Sequence, residues 1–179
     1  TALGCLQRDL DPTAYHVVYS AFTSLGPFSQ LSSLLVKLGL RSRRFKGETA
    51  AELVAHLRGL SKRTVLILDE SHDMPDATLE DLRLLTADSL DKKSPFALVL
   101  AGQPLLRERL TEPQHYALCS RITARARLRA LTEPEVALFL DKHLRACGAT
   151  RTIFESDAVA VIFQHSRGVP RLVQNYALG

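Results

Sequence analysis

The chain has 179 residues with a formal net charge of +4, and 46% of the residues are apolar while 23% are charged. This composition is typical of a globular protein with one core and room for a small second unit, and no apolar run approaches the ~20 residues of a membrane-spanning helix. Three widely spaced cysteines fit neither a disulfide framework nor a zinc site, so we interpret them as small buried side chains and expect a cytoplasmic protein.

The first third of the chain alternates patterns typical of helices and strands. The expected elements are, in order, a helix over residues 1–9, a strand over 15–20 and a helix over 28–38. The next helix is expected to begin with a capping box, in which Thr49 and Glu52 bind the free amide groups of the first turn.

An unbroken apolar run from Thr64 to Leu68 ends at two carboxylates, Asp69 and Glu70. Such a run is typical of a parallel strand that is buried on both faces. Ligands of open α/β sheets bind beyond the carboxyl ends of such strands. Asp69 there can hold a hydrated Mg²⁺ that bridges nucleotide phosphates, and Glu70 can orient an attacking water, as in the Walker B motif of an ATPase. The alternative is a strand that simply ends in two solvated acids.

Four further elements are expected before residue 132. Pro75 and Asp76 begin a helix, and a second buried strand over 96–101 leads through Gly102-Gln103-Pro104 into a short helix. Residues 122–131 alternate arginine with small or apolar side chains, and this period of two predicts a strand at a sheet edge.

The pattern becomes entirely helical after residue 131. Thr132 and Glu135 predict a capping box, and three amphipathic stretches follow before the end of the sequence. We therefore expect an α/β core over residues 1–131 and a small helical unit over 132–179.

Five segments together resemble a known family: 65–72, 79–85, 98–104, 120–122 and 166–171. In this order they resemble an AAA+ ATPase, which implies a P-loop NTPase fold with a parallel sheet, flanking helices and a C-terminal helical lid. Within that superfamily the sequence is most similar to the group containing the secretion ATPase ExeA and the ATP-dependent helper proteins of bacterial transposons.

The resemblance implies a role for five side chains. Asp69 would hold Mg²⁺ through water, and Glu70 would polarise the hydrolytic water. Gln103 matches the sensor-1 residue, which responds to the γ-phosphate. Arg121 matches the arginine finger that acts on the nucleotide of a neighbouring subunit, and Arg171 matches sensor 2 in the lid of the same subunit. The structural alternatives are a turn residue for Gln103, a surface arginine for Arg121 and an ion pair with the core for Arg171.

The P-loop pattern G-x-x-x-x-G-K-[ST] is missing from the sequence, as is the strand that should precede it. Thr1-Ala-Leu resembles the residues that follow this motif in the family. We therefore expect the P-loop to precede Thr1 in the full protein, and we expect Thr1 itself to contact only an α-phosphate.

These observations lead to three functional hypotheses. The first is a DNA-transposition helper that binds ATP and Mg²⁺, forms a homo-oligomer on double-stranded DNA and regulates a transposase. Its arginine-rich charge permits such binding without demonstrating it, since only six of the 23 basic residues are lysines. The second is an ATPase that drives assembly of a secretion system, and the third is a nucleotide-sensing scaffold without turnover.

Overall fold

The computed structural model describes residues 2–21, 24–87 and 94–178. Its contacts divide the chain into two compact units, Thr1–Thr123 and Ala124–Gly179. The first unit combines a sheet with helices, and the second contains α-helices. The assignment of residues 132–179 as a lid, with a core ending at 131, stays a prediction.

The first unit alternates strands and helices, as the sequence pattern predicts. Its strands are β1 (Tyr15–Ser20), β2 (Arg63–Leu68) and β3 (Phe96–Leu100). Its α-helices are α1 (Ala2–Asp9), α2 (Pro27–Lys37), α3 (Lys46–Gly59), α4 (Asp76–Thr86), α5 (Pro104–Leu110) and α6 (Tyr116–Cys119). Two short 3₁₀ turns lie over Ser71–Asp73 and Pro113–His115.

The three strands form a parallel sheet in the order β1-β2-β3. The middle strand, β2, is buried from Thr64 to Leu68, so residues on both of its faces are shielded from water. The predicted buried parallel strand is thus confirmed. The core against it is built from leucines of three helices: Leu31, Leu34, Leu35, Leu53, Leu57, Leu79, Leu82 and Leu85. Each such side chain contributes about 1.5–3 kcal/mol when it leaves water.

The predicted capping box at Thr49 is wrong, because α3 begins three residues earlier, at Lys46. Thr49 is fully buried inside the first turns, where its hydroxyl donates to the Phe45 carbonyl at 3.0 Å. Glu52 instead pairs with Arg43 in the preceding loop. A threonine three residues before a glutamate therefore does not by itself mark a helix start when burial satisfies the hydroxyl differently.

The predicted edge strand over 122–131 is also wrong, since these residues contain no regular secondary structure. Residues 123–130 are all exposed, so neither side of the alternating pattern is buried. Alanine and arginine lack the β-branched or aromatic side chains that favour a pleated, half-buried surface.

The prediction that the cysteines are buried is wrong for Cys5 and Cys147, which are exposed, whereas Cys119 is half-buried.

The second unit packs α7 (Glu133–Ala146), α8 (Ser156–Ser166) and α9 (Pro170–Leu178) around a small core. The core residues are Val136, Leu140, Val159, Ile162 and Val173. The predicted capping box at the start of α7 is confirmed. The Glu135 carboxylate accepts the Thr132 N–H at 2.8 Å and the Thr132 hydroxyl at 3.0 Å, and Arg129 binds both of its oxygens.

The Glu135 contacts predict an acid-sensitive step in stability. Arg129, followed by the two Thr132 donors, lowers the pKa of Glu135 to about 2. A carboxyl whose pKa is depressed in the folded state contributes stability above its unfolded pKa of about 4.3 and loses it as pH falls through the folded value. Glu135→Gln should therefore destabilise the protein in urea unfolding at pH 7, and the difference from the unsubstituted protein should shrink towards pH 2.

A matched variant is Glu133→Gln in the same first turn of α7, since both residues lie near the helix N-terminus. It should show a smaller effect at pH 7, because only Glu135 accepts the Thr132 N–H. Equal pH-dependent losses in the two variants would assign the effect to the helix dipole rather than to the capping box.

Candidate active site

The first unit brings the ends of all three strands together. The Asp69 N–H, just after β2, donates to the Ser20 carbonyl at the end of β1 at 2.8 Å. After β3, the Ala101 N–H donates to the Leu68 carbonyl at 2.9 Å, and the Ser71 N–H donates to the Ala101 carbonyl at 2.8 Å. The segments that follow β2 and β3 are therefore bonded to each other beyond the sheet.

The Asp69 carboxylate is held at both oxygens. Its Oδ1 accepts the Glu70 N–H at 2.9 Å, and its Oδ2 accepts the Tyr19 hydroxyl at 2.8 Å. This bond to a carboxylate raises the pKa of Tyr19, with smaller contributions from burial and from the charges of Asp69 and Glu70. The sequence patterns did not indicate Tyr19, because its contact depends on the register of β1 against β2.

Glu70 follows with a left-handed backbone, φ 52° and ψ 31°. This conformation costs a residue with a side chain about 1–3 kcal/mol and is common at functional sites. The Glu70 side chain is 56% exposed, and its Oε2 lies 3.4 Å from the Nδ1 of His72. The turn thus places a solvent-accessible carboxylate directly beyond the central strand.

His72 connects this carboxylate with the segment after β3. Its side chain is only 8% exposed, and the Gln103 N–H lies 3.5 Å from its Nδ1. Gly102 makes this approach possible, since a Cβ at that position would lie 3.0 Å from the His72 amide nitrogen and 3.2 Å from Nδ1. Sequence reasoning missed His72, although it stands two residues after Glu70 in the same motif.

A second set of charges fixes the turn that carries His72. Arg109 on α5 donates to the His72 carbonyl at 2.6 Å and also binds Asp76. His115, which is 3% exposed, has its Nε2 3.1 Å from the same Asp76 oxygen. The Arg109 hydrogen bond, and to a smaller extent the His115 bond, lower the pKa of Asp76. Asp76, the first residue of α4, therefore links α4 to α5 through its ion pair with Arg109.

Asp69, Glu70 and Gln103 are the predicted site residues that the structure brings to one place. Arg121 follows α6 in the same unit and is exposed. Arg171 is the second residue of α9 in the other unit and is also exposed. Thr1 lies outside the described residues. The roles given to all six residues stay proposals.

Arg171 follows a tightly packed turn in the second unit. Gly168 has φ 72°, and its carbonyl accepts the Leu131 N–H at 2.8 Å. A Cβ at Gly168 would lie 1.9 Å from the Leu131 carbonyl oxygen. Glycine is therefore required here by both the backbone conformation and the close approach.

The donor set of the site suits Mg²⁺ better than a metal held by protein alone. In the three described ranges, no group of three or more His, Cys, Asp or Glu side chains could hold an ion. Mg²⁺ with a nucleotide needs only one or two carboxylates, because water and phosphate complete its shell. Each Asp69 oxygen accepts one hydrogen bond and keeps a lone pair, so this carboxylate fits that role.

A parallel sheet with carboxylates after its middle strand and a polar residue after the next strand is the arrangement that the resemblance to the AAA+ class of P-loop NTPases implies. Residues 1–110 match the family model described as an AAA domain. The chain belongs to this family, which confirms the resemblance seen in the sequence.

The chain is also similar to general secretion pathway protein A from Aeromonas hydrophila. The two sequences are 36% identical over 121 residues, which are 68% of this chain and 22% of the relative. The chain thus spans about a fifth of the length of this relative.

Solved structures show the same fold at lower identity. Cdc6p from Pyrobaculum aerophilum matches with a TM-score of 0.69 at 20% identity, covering 96% of this chain and 48% of that one. The ORC2 protein of Aeropyrum pernix, in its ADPNP-ADP complexes, matches with a TM-score of 0.68 at 17% identity, over 98% and 48% of the chains. The RuvB Holliday junction branch migration motor of Thermotoga maritima gives 0.51 at 24% identity, over 88% and 51%. These matches confirm the predicted fold class.

Within the part of the chain that the structure describes, every helix is too short or too polar to cross a bilayer.

Proposed function

We propose that the protein binds ATP with Mg²⁺ and hydrolyses it. One observation carries this proposal: Asp69 and Glu70 stand at the carboxyl end of the buried strand β2, bonded through their turn to the segment of Gln103 after β3. This is the position where open parallel sheets bind ligands. When bound, Mg²⁺ would neutralise charge that develops on the phosphates.

Asp69, Glu70 and Gln103 would each have a different role, which follows from the position of the side chain. Asp69, fixed at both oxygens, would orient the water shell of the metal. Glu70 has an exposed carboxylate on a strained turn, which suits a base that holds and polarises the attacking water. Gln103, the exposed N-cap residue of α5, would contact the γ-phosphate.

The two arginines would supply positive charge from other positions. Arg121 is exposed two residues after α6, where it would reach the nucleotide of a neighbouring subunit in a homo-oligomer. Arg171 would contact the phosphate of a nucleotide that is bound by its own chain. It lies in the first turn of α9. Activity would therefore require an oligomer of the full-length protein.

The proposed biological role is that of a DNA-transposition helper, which assembles with ATP on double-stranded DNA and acts on a transposase. The arginine-rich composition supports contact with phosphates. A specific observation favours the second candidate, an ATPase of a secretion system: the 36% identical relative is named for the general secretion pathway. A nucleotide-sensing scaffold without turnover is the remaining alternative.

One experiment separates these roles. Full-length protein is mixed with fluorescent double-stranded DNA, with and without ATP, and anisotropy is followed as salt rises. The DNA role predicts ATP-dependent binding that weakens at least about tenfold between 50 and 200 mM salt, because phosphate contacts dominate such binding. Absence of DNA affinity at low salt, together with recovery of the full-length protein in the membrane fraction, would favour secretion. Absence of phosphate release under every condition would leave only the scaffold.

A further inference from the structure

The Tyr19 side chain is placed by strand pairing rather than by the core. β1 runs parallel to β2, with Tyr19 opposite Ile67 and Ser20 opposite Leu68. Asp69 is therefore the first residue after the paired segment of β2. Tyr19 is 42% exposed and does not belong to the buried cluster that holds the first unit together. Removal of its hydroxyl should therefore leave the fold nearly unchanged.

The polar end of Tyr19 has a defined partner. Its hydroxyl donates to Asp69 Oδ2 at 2.8 Å, while the Glu70 N–H holds the other oxygen at 2.9 Å. One donor belongs to β1 and the other to the turn after β2, so together they restrict rotation of the carboxylate about its last bond. Each oxygen still has a lone pair that faces away from its donor.

We propose that Tyr19 is a positioning residue for the Mg²⁺-nucleotide site, since its hydroxyl fixes the Asp69 carboxylate in the orientation that receives the hydrated metal. This inference rests on the proposed function. Groups that hydrogen-bond a ligating side chain fix its orientation, and their loss typically costs 10–100-fold in metal affinity or activity. We expect a smaller effect of about 3–10-fold here, because the metal is held through water and the Glu70 N–H remains.

The test uses full-length protein and the binding of a fluorescent ATP analogue, followed as Mg²⁺ is added and again in EDTA. Tyr19→Phe should need about 3–10-fold more Mg²⁺ for half-maximal tightening of nucleotide binding. Its affinity in EDTA and its melting temperature should match those of the unsubstituted protein. The matched control is Tyr15→Phe, which removes a hydroxyl from the opposite end of β1 and should leave the Mg²⁺ curve unchanged.

Asp69→Asn is the reference for a full loss, because it should remove most of the Mg²⁺ dependence of nucleotide binding. If Tyr19→Phe keeps the unsubstituted Mg²⁺ curve while Asp69→Asn shifts it, the role of Tyr19 is overturned and the proposed function stands. If the unsubstituted protein binds nucleotide without any Mg²⁺ dependence, or does not bind it, the proposed function fails and this inference fails with it.

Discussion

Replacement of Glu70 by Gln in the full-length protein should lower the rate of ATP hydrolysis by about 100- to 10,000-fold and leave ATP binding intact. The amide has the size of the carboxylate and can adopt the same left-handed turn, but it cannot take a proton from the attacking water. Phosphate release under multiple-turnover conditions measures the loss. Equilibrium binding of a fluorescent ATP analogue shows whether the site is preserved.

Glu48→Gln is the matched control for this variant. Glu48 is an exposed glutamate in the first turn of α3, so the substitution removes the same charge from the same unit. Its turnover should equal that of the unsubstituted protein. Full turnover in Glu70→Gln would refute the role proposed for Glu70, whereas loss of ATP binding would show that the carboxylate holds the nucleotide site in shape.

Replacement of Gly168 by Ala should lower the free energy of unfolding of the second unit by about 2–5 kcal/mol. The new Cβ would lie 1.9 Å from the Leu131 carbonyl oxygen, so the backbone must move. That movement breaks the bond from the Leu131 N–H to the Gly168 carbonyl, which is 2.8 Å long. The left-handed backbone at φ 72° adds a further cost for any residue with a side chain. Urea unfolding followed by circular dichroism measures the loss.

Gly148→Ala separates the two causes. Gly148 has φ 97°, yet a Cβ there would meet no atom within 4 Å. This variant should therefore lose only the conformational part, about 1–2 kcal/mol. Equal losses at the two positions would show that the close approach of Leu131 contributes nothing. A larger loss at Gly168 would confirm that the turn before Arg171 depends on this contact.

Local sequence patterns predicted those parts of the fold that local physics determines. The apolar run of β2, the proline that begins α5 and the capping box of α7 each depend on residues that are close together in the chain. The Arg/Ala alternation over 122–131 gave the wrong element, because a strand also needs a partner and a surface to cover. The start of α3 was misplaced for a similar reason, since burial of Thr49 outweighs its tendency to cap.

The candidate site was predicted in outline, and its internal contacts were not. Asp69 and Glu70 could be named because ligands of open sheets bind at strand ends, and Gln103 could be named because the resemblance implies a sensor after the next strand. Tyr19 and His72 bind them across 50 and 31 positions of the chain, respectively. Such contacts depend on strand register and on a glycine that lets two segments approach, neither of which a single sequence specifies.

The contact between Gly102 and His72 has a mechanical consequence. A glycine Cα against a main-chain amide leaves no flexible side chain between the two loops to absorb a displacement. Close-packed atoms transmit strain instead of compressing. A movement of Gly102 towards His72 would therefore displace the His72 main chain, because no side chain lies between them to change its rotamer.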